Sequence, residues 1–206
     1  RVFAARTCMM AGVGLTGVFL WYLVRFWVYG KAVVLTSAPL TIPAGFLIAG
    51  MAVATLIGAA LASWAAGPIS EGIEEKNIPV ARVVAGACLL YAAGLALAWG
   101  LGVWSTGTAR ENGMLLFALI SGFAFGVYDS LGLELVMDSL PDPRRAGHDL
   151  GIYALANSAG LALAAIIGAL LVNAFEHSFG YYLLFPSAIV MVLLAGIVTL
   201  TTKSAE

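Results

Sequence analysis

The chain has 206 residues, of which 62% are hydrophobic and only 10% charged, and its formal net charge is −1 at pH 7. Soluble domains carry about 25% charged residues, so an ordinary soluble fold is excluded. The 10 basic residues form no stripe or patch, so nucleic-acid binding has no support. Because the charges fall mainly between long apolar stretches, we predict an all-α, polytopic membrane protein.

Six apolar stretches follow one another along the chain, and each is long enough to cross a bilayer as a helix, which takes about 20 residues. None alternates in the way that marks barrel strands. The stretches are about 2–29, 43–66, 80–104, 114–137, 150–175 and 181–202. The connections are too short for a soluble domain, so residues 1–206 are predicted to form one six-helix bundle. His148 and His177 fall in loops on opposite sides of it, so they make no metal site. We expect no cofactor and no enzymatic activity, because there is no soluble domain and no His at membrane depth.

The first stretch carries Arg25 near its far end, with Tyr22 about one turn deeper. Arg25 either reaches the membrane interface along its aliphatic stem or pairs with a carboxylate that lines a cavity. Tyr22 belongs either to the aromatic belt of the interface or to a ligand site.

The second connection begins Gly67-Pro68-Ile69-Ser70-Glu71, and Arg82 opens the next stretch. A proline inside a helix removes a hydrogen bond, so Pro68 is predicted to end or kink the second helix. Glu71 is placed to meet a helix N-terminus or a basic side chain. Without other information, this connection is a solvated turn.

The fourth stretch holds the strongest functional signal. Gly122 and Gly126 form a small-xxx-small pair that lets another helix approach closely. Asp129 and Glu134 then lie in or near the hydrocarbon, where a carboxylate costs at least ~2.5 kcal/mol. Each must face a cavity, find a partner or be protonated. They lie ~140° apart around the helix, so at most one faces a cavity, and a structural or interfacial role stays open for both.

Polar and small residues share the fifth stretch. Asn157 follows Tyr153 by about one turn, so the two share a helix face and are placed to hydrogen-bond across an interface or to a solute. Gly160, Ala164 and Gly168 recur every four residues, which predicts a packing stripe.

Basic residues near the ends of spans stay on the cytoplasmic side of a membrane. Six crossings place seven of them on the side of the N-terminus and three on the other, so both termini are predicted to be cytoplasmic, in a bacterial-type inner membrane. The seven are Arg1, Arg6, Lys76, Arg82, Arg144, Arg145 and Lys203, and the three are Arg25, Lys31 and Arg110. Because the chain begins with Arg1 rather than Met, we expect a preceding piece of the polypeptide to be missing.

Taken together, these motifs resemble the C-terminal half of a major facilitator superfamily transporter. The segment Gly67-x-Ile69-Ser70-Glu71 is similar to the opening of the superfamily's loop motif, although residues 74–76 depart from its later Gly and basic pair. The run from Gly126 through Leu140-Pro141 to Leu150-Gly151-Ile152-Tyr153 is similar to cation-coupled sugar symporters of the glycoside–pentoside–hexuronide and sucrose-transporter-like branches.

The resemblance implies two inverted three-helix repeats that form one wall of a solute pathway. The other wall is a missing N-terminal six-helix half or a second subunit. The implied pathway residues are Tyr22, Arg25, Tyr128, Asp129 and Glu134. The implied gating residues are Gly67, Glu71, Arg82, Arg144 and Arg145. The residues assigned to helix packing are Gly122, Gly126, Asn157, Gly160 and Gly168.

The function expected first is secondary active transport of a small solute, coupled to H⁺ or Na⁺ through Asp129 or Glu134. An exporter of drugs or metabolites is the nearest alternative, and Trp21, Phe123 and Phe125 would suit its aromatic cavity. A non-transporting membrane scaffold is the other alternative, and the altered loop motif favours it.

Overall fold

A computed structural model describes residues 1–29, 41–104, 107–138, 146–175 and 177–201. Every regular element in these ranges is a helix. The helices are α1 (Val2–Gly17), α2 (Leu20–Leu23), a π-helical segment (Val24–Val28), α3 (Thr41–Glu75), α4 (Val80–Trp104), α5 (Thr108–Asp138), α6 (Ala146–Ala174) and α7 (His177–Leu200). The five helices α3 to α7 are long and apolar enough to cross a membrane. The chain is therefore an integral, multi-pass, all-α membrane protein.

The first predicted span is not one continuous helix. The α-helical hydrogen bonding of α1 ends after 16 residues, and α2 begins after a two-residue interruption at Val18 and Phe19. Glycine and β-branched residues, such as Gly17 and Val18, hold a helix weakly. The π-helical segment follows α2 directly, and such segments are frequent at functional sites.

The second helix runs beyond its predicted end. The turn expected after residue 66 is helical as far as Glu75, with Pro68 inside α3. Ile69 and Ile73 pack against the core, and this contact holds the extra turns in place despite the proline. The helix ends at Glu75 in a Schellman-type cap, in which Asn77 has a left-handed φ of 50° and Ile78 N donates to Ile73 O.

The helices pack as two groups. In one group α1 lies against α6 and α7, and in the other α5 lies against α3 and α4. The α4–α7 contact is the main packing between the groups. Glycines allow the close approaches: a Cβ on Gly12 of α1 would meet Val192 of α7 at 2.5 Å, and one on Gly94 of α4 would meet Ile120 of α5 at 3.0 Å.

Large apolar side chains remain exposed on α3 and α6. Phe46 and Trp64 of α3 are 75% and 79% exposed, and Leu155 and Leu170 of α6 are 62% and 63% exposed. Soluble proteins rarely expose apolar surface on this scale. These two helices therefore face lipid or the apolar surface of another protein unit.

Candidate functional site

The most unusual side chain in the structure is Arg6, which lies on the apolar helix α1 and is only 6% exposed. Its Nη2 pairs with Asp129 Oδ1 of α5 at 2.7 Å. Its Nε donates to Asn157 Oδ1 of α6, also at 2.7 Å. A buried cation is costly unless it has such partners. Arg6 is thus the centre of a polar cluster that draws on three helices.

Three aromatic rings surround the same guanidinium. Its central carbon lies 5.6 Å from the ring centroids of Phe125 and Tyr128 of α5, and 5.4 Å from that of Tyr153 of α6. Cation–π attraction acts within about 6 Å of a ring centroid and strengthens when water is removed. The rings and Asn157 therefore hold Arg6 in place independently of Asp129.

The Arg6 cluster has an unused donor. Arg6 Nη1 is buried and has no hydrogen-bond partner among the described residues. The guanidinium thus keeps hydrogen-bonding capacity that the surrounding side chains do not fill.

The two members of the ion pair differ in burial. The Arg6 side chain is 7% exposed, whereas that of Asp129 is 54% exposed. Arg6 belongs to the α1–α6–α7 group and Asp129 to the α3–α4–α5 group, so the pair connects the two groups. Asp129 is consequently the member of the pair that the described residues leave open.

A second feature is a cavity of about 260 Å³, the midplane cavity, which lies at the middle of the long helices. It lies some ten residues from Arg6 along α1, or about 15 Å. Most of its lining is apolar, with hydroxyl groups from four helices. The lining residues are Val13, Thr16, Gly17, Leu20, Ile48, Met51, Ala52, Thr55, Tyr91, Phe117, Ala118 and Ser121.

The hydroxyl groups of this midplane cavity already have partners. Thr16 Oγ1 donates to Val13 O at 3.1 Å, and Thr55 and Ser121 donate in the same way to carbonyls of their own helices. Tyr91 hydrogen-bonds Thr16. The hydroxyl oxygens keep lone pairs, so the cavity presents a few acceptors in an apolar wall.

Of the five predicted pathway residues, Asp129 and Tyr128 lie together in the Arg6 cluster. Tyr22 lies away from it and stacks on Tyr181, with ring centroids 6.1 Å apart. Arg25 is half-buried in the π-helical segment, and the basic partner of Asp129 is Arg6. Glu134 is exposed and forms no hydrogen bond or ion pair with another described residue.

The predicted gating residues do not meet in the described part of the chain. Gly67 and Glu71 lie in α3 rather than in a loop, and both are exposed. Arg82 is exposed in the first turn of α4, and neither Glu71 nor Arg82 pairs with a described residue. Arg144 and Arg145 lie outside the described residues. A gating network of these side chains stays a prediction.

The glycines assigned to packing lie at close helix contacts. A Cβ on Gly122 would collide with the backbone of Thr55, and one on Gly126 would meet Ala62 at 2.6 Å, both in α3. On α6, a Cβ on Gly160 would meet Met10 of α1 at 2.5 Å. One on Gly168 would collide with the ring of Phe19.

Sequence reasoning missed the residue at the centre of the site. Arg6 falls close to the start of its span, where a basic residue is ordinarily interpreted as a charge that sets topology. The available signal was its position inside the apolar run, five residues after Arg1. The cavity hydroxyls of Thr16, Thr55 and Ser121 carry no sequence signal, since such residues are common in membrane helices and bond to their own backbone.

The described residues contain no group of three or more His, Cys, Asp or Glu side chains that could hold a metal ion. Comparison with known proteins finds no matching family model, no matching curated protein and no matching solved structure. The chemistry of the site therefore has to be argued from its own geometry.

Proposed function

We propose that this chain forms one six-helix wall of a secondary transporter that moves a small solute together with a proton or another cation. The observation that carries the proposal is the Arg6–Asp129 pair, which joins two helix groups inside a membrane protein at 2.7 Å. Ionisable residues within membrane spans are costly, and by default they indicate a solute or ion pathway.

The pair gives a mechanism for coupling. A proton or cation that neutralises Asp129 weakens its attraction to Arg6. Because α1 and α5 belong to different packing groups, this change loosens one group relative to the other. Re-ionised Asp129 pairs with Arg6 again and closes the gap. Rigid groups that rock around a central site are the general basis of alternating access.

The packing pattern supports two inverted three-helix repeats. The first three spans are α1 with its continuation, α3 and α4, and the last three are α5, α6 and α7. If the two sets are exchanged in order, the α1–α6 contact corresponds to α5–α3 and the α1–α7 contact corresponds to α5–α4. The α4–α7 contact is unchanged by the exchange. The smaller α6–α7 contact has no counterpart of similar size. Internal repeats of this kind are frequent in secondary transporters, and they match the superfamily that the sequence resembles.

Two contacts support a complete crossing by the interrupted first span. Arg6, near the start of α1, meets Asp129 near the end of α5. Tyr29, just after the π-helical segment, hydrogen-bonds Glu111 in the first turn of α5. The 31-residue α5 is long enough to span the bilayer, so residues 2–29 run alongside it from one end to the other.

The proposal includes a second six-helix unit, either an N-terminal half or another subunit. The midplane cavity is lined by residues of α1 to α5 alone among the described helices, and α3 and α6 keep large apolar side chains exposed. A solute site in such proteins lies between two halves near the bilayer centre. The second unit would supply the missing wall.

The lining of the midplane cavity favours a weakly polar solute. Its hydroxyl protons are directed to backbone carbonyls, which leaves few donors for the hydroxyl groups of a sugar. The same lining supports export of apolar metabolites as a second candidate function, because such solutes need little more than an apolar wall.

Thiol labelling of the midplane cavity tests alternating access. In a background with Cys8→Ala and Cys88→Ala, the probe variant is Thr16→Cys, and a charged, membrane-impermeant methanethiosulfonate is added to oriented vesicles. We expect modification from either face of the membrane, since the cavity opens to each side in turn.

The matched control is Leu89→Cys, at the middle of α4. Leu89 is 60% exposed but does not line the cavity, so lipid should protect it from both faces. Labelling of Thr16→Cys from one face only would indicate a static crevice and support the scaffold alternative. Equal labelling of both variants would mean that the midplane cavity is not a pathway.

A further inference from the structure

We propose that Arg6 is a binding site for the carboxylate of a small organic solute, and that Asp129 occupies this site when no solute is bound. The inference rests on the proposed function for its role in transport, but the binding itself stands on the geometry of the Arg6 cluster. Asp129 then acts as an internal substitute for the solute's own carboxylate.

Arg6 keeps other partners when Asp129 is neutralised. Asn157 accepts from its Nε at 2.7 Å, and three rings lie 5.4 to 5.6 Å from its central carbon. A cation held in this way stays buried and must be compensated by another anion. The cluster is therefore preorganised for a negatively charged ligand.

The present pairing does not use the full donor capacity of Arg6. Asp129 contacts Nη2 through a single oxygen, and Nη1 has no partner among the described residues. A free carboxylate that approaches in the plane of the guanidinium can accept from Nη1 and Nη2 together. Two parallel charge-assisted hydrogen bonds are stronger and more directional than one.

Access is from the side of Asp129. That side chain is 54% exposed, whereas Arg6 is 7% exposed, so a solute meets Asp129 first and reaches Arg6 by displacing it. Two carboxylates do not share one cation at low cost, so Asp129 has to be neutral while the solute is bound. One proton therefore accompanies one carboxylate, and the exchange leaves the net charge of the site unchanged.

The other titratable groups around the pair are Tyr128 of α5 and Tyr153 of α6, which contact Arg6, and Cys88 of α4, which faces Tyr128. Asp129 is the only carboxylate paired with Arg6 in the described residues, and it is more exposed than these groups. The proton that enters with the solute is accordingly carried by Asp129.

The ligand is a monocarboxylate rather than a multivalent anion. The cluster offers one cation and aromatic walls, whereas phosphate or sulfate recognition draws on several charged donors. Phe125, Tyr128 and Tyr153 suit an apolar or aromatic body next to the carboxylate. The apolar midplane cavity, about 15 Å away along α1, is suited to hold the same apolar part of the solute while it is transported.

Benzoate binding to the purified protein in detergent tests the site by calorimetry. Asp129→Asn removes the internal competitor, so we expect at least about tenfold tighter binding than in the wild type at neutral pH. Arg6→Lys keeps the charge but loses the planar fork. In the Asp129→Asn background, it should weaken benzoate binding by at least about tenfold.

Glu74→Gln is the control for the loss of one carboxylate, since Glu74 of α3 is exposed, forms no ion pair with a described residue and should leave benzoate affinity unchanged when replaced. Equal benzoate affinity of the Asp129→Asn variant and the wild type would overturn the proposal. So would full competition by equimolar chloride or phosphate. Benzoate binding without two-sided thiol labelling would refute the transport function but not this binding site. Two-sided labelling without benzoate binding would refute this binding site but not the transport function.

Discussion

Arg6 and Asp129 are unequal partners, and the inequality decides how substitutions act. Arg6 is held by Asn157 and three rings and is almost fully buried, while more than half of the Asp129 side chain is exposed. Loss of Asp129 therefore leaves a buried, uncompensated cation. Loss of Arg6 leaves a carboxylate that solvent can reach. Removing one partner of a buried pair costs more than replacing both.

The first prediction follows from this asymmetry. Asp129→Asn should lower the free energy of unfolding by about 1–3 kcal/mol, less than for a fully buried pair because Asp129 is partly solvated. The double variant Arg6→Met, Asp129→Asn should regain part of that loss, because the isolated cation is gone. Thermal unfolding in detergent measures both.

Asn157 offers a second test at the same scale. Asn157→Leu removes the acceptor of Arg6 Nε, and a lost hydrogen bond to a charged group costs about 1.5–3 kcal/mol. The loss should disappear in the Arg6→Met background, since no donor is left there. A double-mutant cycle on unfolding midpoints gives the coupling, and additive effects would show that the 2.7 Å contact contributes nothing.

Individual residues differ in how far sequence could predict them. Asp129 was found because a carboxylate in an apolar helix requires a partner. Its partner was missed because positive charges near span ends have a common alternative role in topology. The choice between Asp129 and Glu134 required the structure, since their spacing only shows that they face different directions.

At the scale of single helices, packing depends on where glycines are. Gly160 of α6 lies against Thr7, Met10 and Ala11 of α1, and a Cβ there would lie 2.5 Å from Met10 Cβ. Gly151, on the same helix, has open space around its Cβ position. Substitution of each glycine by alanine therefore distinguishes the effect of close helix packing on stability from the effect of intrinsic helix propensity.

We expect Gly160→Ala to destabilise the protein and Gly151→Ala to stabilise it slightly, by up to about 1 kcal/mol from helix propensity. Overpacking at Gly160 should cost about 1–3 kcal/mol. Unfolding midpoints of the two variants are the measurement. If both alanines act alike, α1 and α6 do not approach as closely as the structure shows.

The interruption of the first span leads to a different prediction. Gly17 ends α1 beside the midplane cavity, and its Cβ position is open, so Gly17→Ala meets no steric obstacle. Alanine favours continuous helix by up to about 1 kcal/mol, which should raise the unfolding midpoint. If the interruption is where the first span bends during transport, two-sided labelling of Thr16→Cys should slow in the same variant. An unchanged labelling rate would show that the interruption is only structural.

Helix boundaries were predictable to different degrees, for physical reasons. The structure gives α4 the predicted bounds, Val80–Trp104, because its apolar run ends abruptly at both sides. The end of α3 was misplaced, since Pro68 is tolerated where Ile69 and Ile73 find a core to pack on. At the interruption of the first span, Phe19 packs against Gly168 of α6, a contact between distant segments that the local sequence does not reveal.

For the whole molecule, the prediction of an all-α, multi-pass membrane protein is confirmed in the described residues, where α3 to α7 are each long and apolar enough to span a bilayer. Composition and segment length suffice for that conclusion because the bilayer restricts the possible structures. The grouping of α1 with α6 and α7 was not predictable from helix lengths. It depends on side-chain contacts between segments more than a hundred residues apart.

The number of crossings has a consequence that topology labelling can measure. If residues 2–29 cross the membrane, Arg1 and Asn77 lie on the same side and Thr108 on the opposite side. If only α3 to α7 cross, Arg1 lies with Thr108 instead. In the background without native cysteines, we expect Arg1→Cys and Asn77→Cys to react only from the cytoplasmic face and Thr108→Cys only from the other.

The same-side result is expected because both ends of the first span are tied to α5. Arg6 pairs with Asp129 at one end, and Tyr29 hydrogen-bonds Glu111 at the other, eighteen residues earlier in α5. At 1.5 Å per residue that separation is about 27 Å, close to the thickness of the hydrocarbon core. Reaction of Arg1→Cys and Thr108→Cys from the same face would show that α1 does not cross the membrane. The Arg6–Asp129 pair would then be a contact at the membrane surface, with no part in a solute pathway.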